Sequence, residues 1–432
     1  MIPSNKEFQN VLKRMPLVQE IIIEYQDEKP LRGYSVLFLQ HQFPAQYGQV
    51  QALLELGVLK EDLYWIDIPY TSNPYVVKAL IDMGIPRENL ISSQYQLDMK
   101  YRTYQRTRVQ KWISQNLDKI SSKDQKLLVF DDGSYFIEAY SCFKKRDLDI
   151  RIIEQTARGI IKFRKNAAIR FSSIRCPIIN IAESEPKKKI EPSFITEDII
   201  EAFQRKRDLL RDKINFKKDD KVLILGYGAI GASVADMINN NIQPDSKSIF
   251  VHDPSPEKMN SIKQNGYSLW ESTDFRTRFK IVIGCSGQTS FNMWDHVFLD
   301  ESAVLFSTSS GASELSREEL IELANSSDDD DIKVIFKKEI RDFSKIHNNI
   351  EIEFPYSRAL ILNGGFPINF DGINLKGVSP EKIQYTIASM IRGAIQASQL
   401  DKESKEYRGG LIDFSTDHSE RIMKYFSIEI CK

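Results

Sequence analysis

Apolar and polar positions alternate along this chain in blocks of two kinds. Short apolar runs at YSVLFLQ (34–40), LYWIDIPY (63–70), KLLVFDDG (126–133), RIIEQTARG (151–159) and PIINIAESEPKKKIEP (177–192) read as strands that end in small or polar residues. Between them, 5–25, QVQALLELGVL (49–59), VVKALIDMGI (76–85), a polar stretch over 96–118 and YFIEAYSCFKK (135–145) read as helices. Continuous apolar strands are buried on both faces, and strands of that kind separated by helices build parallel sheets. The Pro- and Lys-rich end of 177–192 reads as a hinge. A second alternation follows the helical EDIIEAFQRKRDLLRDKI (197–214). Its strands are KVLILGYGAIG (221–231), SIFVHDPSP (248–256), KIVIGCSG (280–287), SAVLFSTSSG (302–311), KVIFKKEI (333–340) and ALILNGGFPINFDG (359–372), with a weaker one at 351–355. SPEKIQYTIASMIRGAIQASQ (379–399) is an amphipathic helix.

The pattern predicts an α/β protein with two doubly wound parallel-sheet domains. The first, over 1–192 and completed by the helix near 379–399, would bind substrate. The second, over 193–372, would be a Rossmann dinucleotide-binding domain, with 400–432 as a polar C-terminal tail. The length of 432 residues agrees with two to three domains at roughly 150 residues each.

Composition narrows the function classes. Lys plus Arg is 59 and Asp plus Glu 60, for a formal charge of -1, so there is no general attraction to nucleic acid or anionic membranes. The four cysteines, Cys142, Cys176, Cys285 and Cys431, show no C-x-x-C spacing and no His/Cys cluster suited to a metal. The opening MIPSNKEFQNVLKR lacks a signal-like apolar run, and no apolar stretch approaches the ~18–20 residues of a membrane span. A cytoplasmic protein with reduced thiols is expected. The acidic run at 326–331 reads as a solvated loop. No Walker sequence or Ser-His-Asp spacing occurs.

The sharpest chemical signal is VLILGYGAIGASVADMI (222–238), a strand, a G-x-G-x-x-G turn and a helix. Gly226 permits the tight turn, Gly228 lets the backbone approach a pyrophosphate, and Gly231 lets helix pack on strand. Ala229 and Ile230 open the helix whose free N–H groups would meet the anion. Asp253, at the end of the next strand, is placed to bond the adenosine ribose and repel a 2′-phosphate, which favours NAD over NADP. Ser286 and Gly287 lie at a later strand end, where ligands bind in such sheets. Asn369 could donate to a nicotinamide carboxamide.

Several further motifs follow one another in order: LFLQHQFPAQ, WIDIPYTSNPYVVKALIDMGI, LLVFDDGSY, IIEQTARGI, INIAESEPKKKIEP, the glycine motif, IVIGCSG, AVLFSTSSG and ILNGGFPINF. Together they resemble S-adenosylhomocysteine hydrolase from about residue 30 to 400. The resemblance implies an enzyme that holds NAD, oxidises the 3′-hydroxyl of its substrate's ribose, eliminates the 5′-thioether, adds water and reduces the ketone again. It implies a homo-oligomer acting on a nucleoside-like small molecule. It also implies catalytic or substrate-side roles for His41, for Asp131 in the Asp-Asp-Gly turn, and for Lys187 as handler of the hydroxyl proton with Glu191 beside it. Glu154 and Thr156 would bind substrate.

The chain departs from that family at several positions. Gln155 replaces the second acid of a Glu-Glu pair. Phe43 and Ala45 replace a threonine and a glutamate after the histidine, and Pro192 an asparagine. Thr196 stands where the family has a redox-site cysteine, and Ser310 where it has a catalytic histidine. The family's ribose-binding glutamate aligns near Val251, two residues before Asp253. Three functions are compatible with this: a related NAD-dependent enzyme with an altered substrate, a catalytically degenerate NAD-binding or nucleotide-sensing protein of the same fold, and an unrelated two-domain dehydrogenase of an amino or hydroxy acid.

Overall fold

The computed structural model describes residues 2–97, 99–143, 148–165, 176–210, 217, 219–271, 273–311, 314–315, 319, 333–335, 346–401 and 410–430. The acidic run at 326–331, the end of the 333–340 strand and Cys431 lie outside them. The chain divides into two compact units, the first formed by residues 1–93, 102–191 and 375–432 and the second by 94–101 and 192–374.

Unit 1 is built on a sheet of seven strands: β1 Tyr34–Gln40, β2 Leu63–Asp67, β3 Leu90–Ile91, β4 Lys126–Asp131, β5 Ile150–Glu154, β6 Ile178–Asn180 and β15 Leu411–Asp413. Their order is β15-β6-β5-β4-β1-β2-β3, and every pairing is parallel. Strand β1 is buried along its whole length, as its unbroken apolar run requires. Its Phe38 stacks on Trp65 of β2 at 4.7 Å and on Phe130 of β4 at 5.0 Å, tying the three central strands through one aromatic layer. Helix Pro380–Ser398 is almost wholly buried, and Gly393 is small because a Cβ there would press on Ile181.

Unit 2 holds β7 Val222–Leu225, β8 Ile249–His252, β9 Ser268–Leu269, β10 Phe279–Gly284, β11 Leu299–Ser307, β12 Lys333–Ile335, β13 Ile350–Glu353 and β14 Arg358–Ile361. Their order is β12-β13-β14-β11-β10-β7-β8-β9. The six strands from β14 to β9 run parallel, and β13 and β12 add an antiparallel edge. In both units the sequence order of the strands reverses beside the first of them, between β1 and β4 and between β7 and β10. Ligands of doubly wound sheets bind at that reversal, outside the carboxyl ends of the strands.

Three segments differ from the sequence reading. The segment read as a hinge is helical, Glu185–Lys189, with Pro186 in its first turn, where a missing N–H costs nothing. The segment 151–159, read as a strand and the turn that ends it, passes at Ala157 into helix Ala157–Lys165. The tail is folded: Leu411–Asp413 adds the edge strand β15 beside β6, and Thr416–Ile430 is a helix packed on Pro380–Ser398.

Candidate functional site

Three residues gather at the carboxyl end of the unit 1 sheet, each the first beyond its strand: His41 after β1 and Asp132 after β4 flank the reversal point, and Gln155 follows the next strand, β5. All three are buried. Asp132 Oδ2 accepts from Gln155 Nε2 at 2.6 Å and lies 3.2 Å from His41 Nε2. The other ring nitrogen, Nδ1, meets Thr71 Oγ1 at 3.0 Å, and that hydroxyl itself donates to the Ile68 carbonyl. Gln155 Oε1 in turn accepts from Gln40 Nε2 at 3.0 Å. Burial by itself would raise the Asp132 carboxyl, but His41, the Gln155 amide and the Lys187 ammonium outweigh it and hold the group below its ordinary value. Asp132 is therefore a carboxylate, yet its Oδ1 is buried without a hydrogen-bond partner, as are Gln40 Oε1 and Gln42 Nε2. Unmade bonds at buried polar atoms cost about 1–3 kcal/mol each, so a cluster of them is where a polar ligand gains most.

Lys187 and Glu191 face one another one helical turn apart, with Lys187 Nζ 2.7 Å from Glu191 Oε1. Both are mostly shielded, whereas the next pair in the charge run, Lys189 with Glu185, is exposed. The run is thus split, and the shielded Lys187 is near enough for its charge to act on Asp132.

The remaining residues singled out in this unit serve the turn itself. Asp131 is the last residue of β4, and its two oxygens accept from the backbone N–H groups of Tyr135 (3.0 Å) and Phe136 (2.9 Å). Burial first, and the neighbouring Glu154 second, push its carboxyl well above the ordinary value. Glu154 accepts from Gly133 N, Ser134 N and Thr156 N at 3.2, 2.7 and 2.8 Å, and from the Thr156 hydroxyl at 2.7 Å. Thr156 Oγ1 also accepts from Gly159 N, and a side chain on Gly159 would overlap the Glu154 carboxyl. Asp131, Glu154 and Thr156 lock the backbone that presents Asp132 and Gln155. The rule that ligands sit beyond strand ends separates the two adjacent aspartates: the first is inside the strand, the second past it.

In unit 2 the glycine turn has one closed and one open side. Gly226 has φ +104°, and a Cβ there would sit 2.8 Å from the Ser286 backbone. A Cβ on Gly231 would overlap the Gly226 carbonyl. Gly228, the N-cap of helix Ala229–Asn241, would meet nothing but Lys258 Nζ at 4.0 Å. The first and third glycines are thus needed for packing and the second leaves the helix N-terminus, with Ala229 and Ile230, open to an anion. Asp253 follows β8, where its Oδ2 accepts from Tyr227 N at 2.8 Å and its Oδ1 from Ser255 N at 3.0 Å. Gly287, φ +74°, has open space around it, and its N–H bonds Ser309 Oγ (3.1 Å) and the buried Glu314 (2.5 Å). Ser286 and Ser290 also donate to Glu314, whose carboxyl burial raises. Asn369 donates to Asp198 Oδ2 at 3.4 Å, while its own Oδ1 is buried without a partner, a fit for the amide donor of a carboxamide. Burial pushes Asp198 up to about 6.

Sequence reasoning missed Asp132, Gln40, Thr71, Lys258 and Glu314. The adjacency of Asp131 and Asp132 carried a signal for the first, through the strand-end rule. Glu314 lies past a serine-rich stretch with no pattern of its own. Among the described residues no group of His, Cys, Asp and Glu is placed to hold a metal, and no helix is long and apolar enough to cross a membrane.

No family model matches the chain. A protein of Mycobacterium tuberculosis named only as uncharacterized, present in two strains, is 24% identical over 403 residues, 92% of this chain and 71% of that one. Among solved structures, the A chain of dipicolinate synthase from Bacillus subtilis is similar with a TM-score of 0.39 at 11% identity, covering 85% of this chain and 99% of that one. A 2-hydroxyacid dehydrogenase from Ketogulonicigenium vulgare scores 0.38 at 11% identity, covering 84% and 96%. The fold assignment, two α/β units with Rossmann-type strand order, rests on the strand pairing itself.

Proposed function

We propose that this chain is an NAD-dependent enzyme related in chemistry to S-adenosylhomocysteine hydrolase, oxidising a ribose-like hydroxyl of a nucleoside or thioether. The observation that carries the proposal is the glycine turn of unit 2, closed by packing at Gly226 and Gly231 and open at Gly228. Gly226, Gly228, Ala229, Ile230, Gly231, Ser286 and Gly287 would hold the dinucleotide, Asp253 would stand beside its adenosine ribose, and Asn369 would bond the carboxamide. Bound NAD supplies a hydride acceptor. In unit 1, His41 and the carboxylate of Asp132 bind and orient substrate hydroxyls, with Gln155 and Gln40 holding Asp132 in place. Lys187, backed by Glu191, moves the hydroxyl proton. Asp131, Glu154 and Thr156 position the turn rather than touch substrate. The protein would act in the cytoplasm as a homo-oligomer.

Mass spectrometry of small molecules released from freshly purified protein tests this reading. NAD should be released, and the bound coenzyme should become reduced when candidate nucleosides are added to the intact protein. Protein that neither carries nor takes up the dinucleotide in excess would end it. A second reading, a nucleotide-sensing protein that keeps NAD without turning it over, is favoured by the segment after β11. There Thr308 Oγ1 donates to Gly284 O (3.1 Å) and Ser309 Oγ accepts from Gly287 N, so these hydroxyls serve the loop itself. Tightly held but redox-silent NAD would support it.

A further inference from the structure

The carboxylate expected to exclude a 2′-phosphate is not bare. Both Asp253 oxygens already accept backbone N–H groups, from Tyr227 and Ser255, and Lys258 Nζ lies 3.5 Å from Oδ2. Lys258 projects from the first turn of helix Pro256–Gln264 and its side chain is 44% exposed, so the ammonium reaches solvent and the glycine turn together. It is also the nearest atom to the open face of Gly228. A carboxylate at the end of the second Rossmann strand selects NAD by repelling the phosphate of NADP, and a cation beside it reverses that preference. Here the two charges cancel, and the half-exposed ammonium is free to swing to a second anion.

We propose that unit 2 accepts 2′-phosphorylated dinucleotides as well as NAD, with Lys258 as the residue that admits the phosphate. This rests on the dinucleotide reading above. Asp253 then acts mainly as the clamp between the glycine turn and the β8 end, and the adenosine end of the site is close to indifferent to the phosphate.

The test is calorimetric titration of the intact, nucleotide-stripped protein with NAD and with NADP, repeated on Lys258→Glu and Lys258→Arg. The wild-type protein should bind the two coenzymes within about tenfold of each other, since one partly exposed charge pair rarely discriminates more. Lys258→Glu should weaken NADP at least about tenfold more than NAD, and more at low salt than at high, whereas Lys258→Arg should keep the wild-type ratio. An exposed lysine is a mild site to substitute, and a thermal melt of each variant verifies folding. NAD binding with no detectable NADP binding would overturn the inference and leave the dinucleotide site standing, as would a ratio insensitive to Lys258→Glu. Binding of neither coenzyme would overturn both.

Discussion

At the scale of single residues, adjacent identical side chains have opposite jobs. Asp131 and Asp132 differ by one position, and the pleat of a strand end sends the first into the turn and the second to the switch point. Asp132→Asn should leave the fold intact, because Gln155 and His41 keep a polar partner, while substrate turnover falls by ~100-fold or more if Asp132 orients the reacting hydroxyl. Asp131→Asn should instead lower stability by about 1–3 kcal/mol, because the amide nitrogen that replaces one oxygen is a donor and leaves the Tyr135 or Phe136 N–H without its acceptor. Denaturant melts and steady-state rates on the two variants separate the roles; equal effects on both quantities would contradict the assignment. The glycines divide in the same way. Gly231→Ala, forced onto the Gly226 carbonyl, should destabilise by about 1–3 kcal/mol as overpacking does. Gly228→Ala should fold normally and lose dinucleotide affinity, read by titration.

At the scale of elements, the sequence was most legible where a strand is a continuous apolar run. The reading of β1 over 34–40 coincides with Tyr34–Gln40, because an unbroken buried run admits few alternatives. Strands of two residues, β3 and β9, left no pattern to read. The helix Glu185–Lys189 was hidden by its own composition: a proline and three lysines look like a linker until Pro186 is placed in the first turn. Of the site, the glycine turn was readable because its geometry forbids side chains. The Asp132 cluster was not, because it is assembled from the ends of three strands far apart in sequence.

Glu154, which ties the end of β5 to the turn that follows β4, also carries a pH signature. Burial raises the Glu154 carboxyl from 4.5 to about 7. A group raised on folding contributes stability that is complete below its unfolded value and drains away as pH climbs through the folded one. Stability should therefore fall between about pH 4.5 and pH 7 on account of Glu154, and Glu154→Gln should flatten that slope although it lowers the baseline. Asp132, depressed on folding, has the opposite sign and acts at lower pH, where its share is lost as the medium is acidified. Melting temperatures of wild type and Glu154→Gln across this window measure the difference, and parallel curves would refute it.

For the whole molecule, each unit has its own sheet and its own buried core, and the proposed coenzyme residues all belong to unit 2. Scanning calorimetry should show two transitions, with NAD at a hundred times its dissociation constant stabilising only one of them, by about 2.7 kcal/mol. The same scan on Gly228→Ala should lack that shift. A single transition displaced as one body would show that the units do not melt separately.

The discontinuity of unit 1 dictates an order of events at the ribosome. Residues 34–180 supply six of its seven strands, but helix Pro380–Ser398 and the seventh strand leave the exit tunnel only after all of unit 2 has been made. Until then the nascent β6 edge has no neighbour and the helix-covered sheet face is bare, the condition in which strands recruit foreign partners. A premature stop anywhere before Leu411 would leave that vulnerability permanent, so translation of residues 380–413 is what completes the sheet begun at β1.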